Sequence, residues 1–150
     1  MELNSTLPNW DLLPIFGNKI PKVTDFKGKP LLILFFNLGC PSCKGRALPF
    51  ANSIIVDKGN KINIIGIHSN FEGSEYTTED FETVKKEFYV RFPLYKDNNN
   101  LNTFRAYQAG GTPHWILLNK EGKIEYSIFG SDPNNALLRL DLKINEIIAN

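Results

Sequence analysis

An unbroken apolar run, Leu31-Leu32-Ile33-Leu34-Phe35-Phe36, is followed after three residues by Cys40-Pro41-Ser42-Cys43, and no other feature constrains the fold of this chain as much. The run is too short for a bilayer, which takes roughly 20 residues, and has the length of a buried strand. Beyond the cysteines, apolar residues return at Ala47, Leu48, Phe50, Ala51, Ile54 and Ile55, the spacing of a helix with one buried face. The pair therefore belongs on a strand-to-helix turn. There, unpaired N–H groups and the positive end of the helix dipole favour a thiolate over a thiol, which makes Cys40 the expected nucleophile. Pro41 suits a first helical position, where no N–H is needed and φ is already helical. Two intervening residues let both sulfurs share one helical turn, so Cys40 and Cys43 can close a small disulfide and reopen it. The chain holds no third cysteine, so the pair has no structural framework to join, and a redox or metal role is left.

Much later, Gly111-Thr112-Pro113 precedes a second apolar run, His114-Trp115-Ile116-Leu117-Leu118. The order of apolar strand, Cys-x-x-Cys, helix and Gly-Thr-Pro resembles the thioredoxin superfamily. Within it, the chain is most similar to the bacterial thioredoxin-like thiol-disulfide oxidoreductases of the AhpC/TSA-redoxin-like branch. The resemblance runs over roughly residues 20 to 148. It implies an α/β thioredoxin-like fold: a central mixed sheet with helices on both faces, an N-terminal extension, and an αβ insertion before the cis-proline strand. It also implies one domain over residues 1–150, with 1–30 an irregular or hairpin lead-in. By the same resemblance Cys40 and Cys43 are catalytic, Pro113 is cis, and the backbone of Thr112 pairs with a substrate strand. Pro41 and Ser42 then tune the couple, and the loop brings the His114 backbone near the disulfide, leaving its ring as either an auxiliary residue that supplies part of the proton handling or a core or edge histidine. Three positions depart from the family pattern. Leu34 stands where thioredoxin has a buried, proton-handling aspartate, and Gly39 where tryptophan is common. Pro49 lies six rather than five residues after the second cysteine, which predicts a helix kink shifted by one residue.

With 42% hydrophobic residues and a net charge of +1, the composition gives no argument for nucleic acid or an anionic membrane as partner. The expected partners are protein disulfide or dithiol substrates and a redox partner protein that regenerates the couple; no bound cofactor, metal or membrane span is expected, and the chain is expected to be a monomer. Met1 to Trp10 has no basic region followed by an apolar block, so the sequence as it stands predicts a cytoplasmic protein, and a periplasmic one if a signal segment has been removed.

Elsewhere, residues 62–67 predict a strand, Glu79 to Phe92 a helix with Phe81, Val84, Phe88 and Phe92 on one face, and Pro93 to Asp97 a short strand. Asn98-Asn99-Asn100 caps a helix through about Tyr107. A hairpin joins 114–118 to Lys123–Phe129, and Asp132 and Pro133 open the last helix.

Other readings compete for the motif. Zinc needs about four ligands and so must recruit His68 and His114. A client-binding module would use the groove around Thr112 and Pro113 with little turnover. A thiol peroxidase of the peroxiredoxin kind carries threonine three residues before its reactive cysteine, where this chain has Asn37.

Overall fold

The computed structural model describes residues 2–70 and 75–149. Strands β1 (Leu12–Pro14), β2 (Leu31–Phe36), β3 (Asn63–His68), β4 (Leu94–Asp97), β5 (His114–Leu118) and β6 (Ile124–Phe129) form one sheet in the order β1-β4-β3-β2-β5-β6. The pairs β2–β3 and β3–β4 are parallel, whereas β1–β4, β2–β5 and β5–β6 are antiparallel. The sheet is thus mixed, with the apolar run at its centre. All six residues of β2 are buried, as a strand covered on both faces must be.

Side chains alternate across β2 and split the interior into two cores. Leu32, Leu34 and Phe36 face α1 (Leu48–Lys58), α2 (Thr78–Glu87) and α4 (Ala136–Ile148), through residues such as Leu48, Phe81 and Leu140. Ile33 and Phe35 face the other way, onto Tyr107 behind α3 (Asn102–Ala106) and onto Leu7, Trp10 and Leu12. The proline-punctuated lead-in is therefore a covering layer of the second core as well as an edge strand. Trp10 anchors it, donating Nε1–H to the Pro21 carbonyl at 2.7 Å and meeting the Phe26 ring edge-on at 5.7 Å. Among the described residues no helix is long and apolar enough to cross a membrane.

Three helices differ from the sequence expectation in their bounds or their caps. Helix α2 begins one residue early, because Thr77 and Asp80 form a reciprocal capping box, and it ends at Glu87 rather than Phe92. Tyr89 adopts φ 53°, which stops the helix, and Asn52 of α1 then holds the exit by donating to the Phe88 carbonyl and accepting the Arg91 N–H. Phe92 kept helical phase only by coincidence; it is buried on the approach to β4. Helix α3 is held by Asp97 rather than by the asparagines, since its carboxylate accepts the N–H groups of Thr103 and Phe104 at 2.6 and 2.8 Å. Asp132 caps a turn over residues 133–135 by accepting the Asn134 N–H, and α4 itself starts at Ala136. Residues 71–74, between β3 and α2, lie outside the described residues.

Candidate active site

Strand β2 ends at Phe36, and a short turn brings the chain to Cys40, whose carbonyl accepts the N–H groups of Cys43 and Lys44 at 3.1 and 3.3 Å. Cys40 is thus the cap of the helix that begins at Pro41. The first turns of that helix are unusual. Residues Cys43–Ala47 form a π turn, after which regular α1 takes over with Pro49 in its first turn. A π turn holds one residue more than an α turn. The extra residue between Cys43 and Pro49 is therefore absorbed as a bulge.

Both cysteines are reduced; Cys40 is partly exposed and Cys43 fully buried. Cys40 Sγ lies 3.2 Å from Ser42 Oγ and 3.6 Å from the carbonyl of Thr112. The peptide bond between Thr112 and Pro113 is cis, as the resemblance implied, and the Thr112 carbonyl faces the sulfur. Partial burial alone would push the Cys40 thiol up. Hydrogen bonds from the Cys43 thiol, the Ser42 hydroxyl, the Cys43 N–H and the Thr112 side chain outweigh it, so Cys40 ionises below its ordinary range. Cys43 is driven the opposite way: burial, the hydrogen bond to Cys40 and the charge on Cys40 all raise its pKa. One sulfur is poised as an anion and the other is held as a proton donor to it.

The surroundings of Cys43 are apolar. It shares a core with Leu34, Leu38, Ala47 and Trp115, so no carboxylate occupies the position of Leu34 in strand β2. Asn37, fully buried at the end of β2, organises the turn instead: its side chain donates to the Ser69 carbonyl at 3.0 Å and accepts the Gly39 N–H at 2.7 Å. Ser69 in turn donates to Asp97 at 2.9 Å. Among the described residues, no buried side-chain N or O lacks a partner.

The structure brings Cys40, Ser42, Cys43 and Thr112 together, with Pro41 exposed at the helix start and Pro113 buried beside the loop. It does not bring His114 to them. Strand alternation places His114 on the face of Ile116 and Leu118, and its ring nitrogens engage the Gly110 N–H at 3.2 Å and Ser127 Oγ at 2.8 Å. Sequence reasoning met Asn37 only as the place of a missing threonine and His68 only as a zinc candidate, not as residues that hold the cysteine turn. The signal available for both was position: parallel β2 and β3 end side by side, so whatever follows them meets behind the cysteine turn. Among the described residues, no three His, Cys, Asp or Glu side chains gather as a metal-binding group.

Comparison with known proteins gives a consistent picture. The AhpC/TSA family model matches residues 4–127. A thiol-disulfide oxidoreductase ResA of Bacillus cereus is 25% identical over 138 residues, which is 91% of this chain and 75% of that protein. A thiol-disulfide isomerase from Corynebacterium glutamicum superposes with a TM-score of 0.83 at 25% identity, covering 98% of both chains. A thioredoxin-like superfamily protein superposes with a TM-score of 0.82 at 24% identity, covering 97% of each, and shows the fold alone.

Proposed function

Because the chain belongs to the AhpC/TSA family and is a thioredoxin-fold thiol-disulfide oxidoreductase, we propose that it exchanges disulfides with protein substrates through Cys40 and Cys43. The carrying observation is the opposed pair: an accessible sulfur with a lowered pKa hydrogen-bonded to a buried one with a raised pKa. Cys40 thiolate attacks one sulfur of a substrate disulfide, forming a mixed disulfide and releasing the other sulfur as a thiolate. That thiolate takes up a proton. Cys43 then gives up its own proton and attacks Cys40 Sγ, so the Cys40–Cys43 disulfide forms as the second substrate sulfur leaves as a thiolate. Substrate gains two electrons and the dithiol loses them, and a partner dithiol restores the couple.

Thr112 fits a substrate-holding role, because its carbonyl already lies against the sulfur where an extended peptide would have to pass. Ser42 adds a donor to the nascent anion. The peroxidase reading has less support. Asn37, at the position of the expected threonine, has its side chain committed to Gly39 and Ser69. Insulin-disulfide reduction by the dithiol form, with dithiothreitol as donor, tests the reading. Turnover by the unmodified protein and its loss in Cys40→Ser are expected. A Cys40→Ser variant that still turns over, or an unmodified protein that binds insulin without reducing it, contradicts the reading.

A further inference from the structure

Two imidazoles that take no part in the exchange stand behind the two loops that meet at Cys40. His68 ends β3, and its Nε2 accepts the Leu38 N–H at 3.0 Å. His114 opens β5, and its Nδ1 accepts the Gly110 N–H at 3.2 Å. An imidazole nitrogen that accepts a backbone N–H carries no proton, so both rings are neutral, with the proton on Nδ1 in His68 and on Nε2 in His114. Burial favours the same state, holding each ring well below the ordinary histidine range at about 4.

Each of these bonds ends two residues from a reacting atom. Leu38 precedes Cys40 by two, and the N–H groups of Gly39 and Cys40 are taken by the side chain and the carbonyl of Asn37 at 2.7 and 3.0 Å. Every N–H from 38 to 40 therefore has a fixed acceptor, and the Leu38 bond is the one that ties the turn to β3. Gly110 precedes Thr112 by two, and Thr112 both accepts the Cys40 S–H at its carbonyl, 3.6 Å away, and lowers the Cys40 pKa through a side-chain hydrogen bond. A carboxylate in either place would repel the thiolate, and a hydroxyl would rotate. A neutral ring clamped by packing does neither: His68 meets Phe36, Tyr76 and Phe81 edge-on at 5.3, 5.3 and 4.9 Å, and His114 is further held by Ser127.

We propose that His68 and His114 are paired positioning residues, neutral acceptors that fix the Leu38–Cys40 turn and the Gly110–Pro113 loop so that the Cys40 sulfur keeps its contacts with Ser42 and Thr112. The proposal rests on Cys40 being the attacking thiol. Four variants test it. His68→Phe and His114→Phe keep a ring and delete the acceptor, whereas His68→Gln and His114→Asn return an amide oxygen to the place of the accepting nitrogen. The readout is the pH profile of Cys40 alkylation by iodoacetamide, with thermal melts alongside. Each Phe variant is expected to shift the profile upward by about one pH unit, which is about tenfold slower alkylation at pH values on the rising limb of the profile, and each amide variant to recover most of the loss.

Phe variants that melt normally and keep the parent profile overturn the proposal, as do amide variants no faster than the Phe variants. Should the Phe variants fail to fold, nitrogen NMR of the unmodified protein at pH 7 decides. Unprotonated Nε2 in His68 and unprotonated Nδ1 in His114 are expected, and the opposite tautomers or imidazolium overturn the proposal. Insulin turnover by the unmodified protein reports on the Cys40 assignment independently, because the tautomers do not depend on it.

Discussion

At Cys40, desolvation and hydrogen bonding oppose each other, and hydrogen bonding prevails because four donors converge on a sulfur that is only partly covered. At His68 and His114 desolvation prevails. The sequence put Cys40 at a helix start, where the structure has it, since a strand-to-helix turn needs only local pattern to be recognised. It could not place the histidine rings, because whether a ring faces the sulfurs depends on strand phase and on which loop lies behind it. The depressed histidines carry a stability consequence. Between the ordinary value of 6.5 and about 4, an unfolded chain binds protons at both histidines that the folded chain refuses. Stability is therefore fully present above pH 6.5 and falls as pH drops toward 4, by up to about 3 kcal/mol for each ring. Urea unfolding at pH 7.0 and 4.5 checks this: the folded state should be several kcal/mol weaker at the lower pH, with His68→Gln reducing the difference. Carboxyl groups act in the same range, and Glu75, Asp97 and Lys96 line the cavity that His68 faces, so the slope lost in the variant is the informative quantity.

Among the elements, the helix behind the cysteines shows how a spacing anomaly becomes structure. Pro49 lies one residue late, and the π turn at Cys43–Ala47 restores the phase so that Leu48, Ala51 and Ile54 still face the sheet. The anomaly was legible as a shifted kink, but its form was not, because a bulge and a displaced bend leave the same spacing. Boundaries set by long-range partners were equally hidden: Asn52 reaching Phe88 and Arg91 ends α2 from another helix. Two glycines give opposite predictions. A Cβ on Gly45, an exposed position of the π turn, meets nothing within 4 Å, so Gly45→Ala should stabilise by about 0.5–1 kcal/mol through the unfolded chain. On Gly66, in central β3, the same atom falls 2.7 Å from Leu94 Cδ2 and 3.1 Å from Phe36, and Gly66→Ala should cost about 1–3 kcal/mol. Chemical denaturation of both variants compares them directly.

Across the whole molecule, the site depends on elements far apart in sequence. Asn37 bonds Ser69, Ser69 bonds Asp97, and Asp97 holds the N-terminus of α3, whose Thr103 exchanges hydrogen bonds with the backbone of Asp11 in the lead-in. A buried carboxylate serving three donors cannot be dispensed with cheaply. Asp97→Ala leaves those donors without an acceptor and should lower stability by about 3 kcal/mol or more, measured by urea unfolding. The central strands, the cysteine turn and the Gly-Thr-Pro loop were readable because each has a dense local signature. The covering role of residues 7–26 and the chain from Asn37 to Asp11 were not, since neither leaves any periodicity in the sequence.

The division of labour between the sulfurs is tested most directly by trapping. Reduced Cys43→Ser and Cys40→Ser variants, each mixed with oxidised insulin, should behave differently. The first should accumulate a covalent adduct through Cys40, because nothing remains to resolve it, while the second stays unmodified, its one thiol buried and protonated. An adduct forming through Cys43 in the second variant, or none forming in the first, contradicts the account.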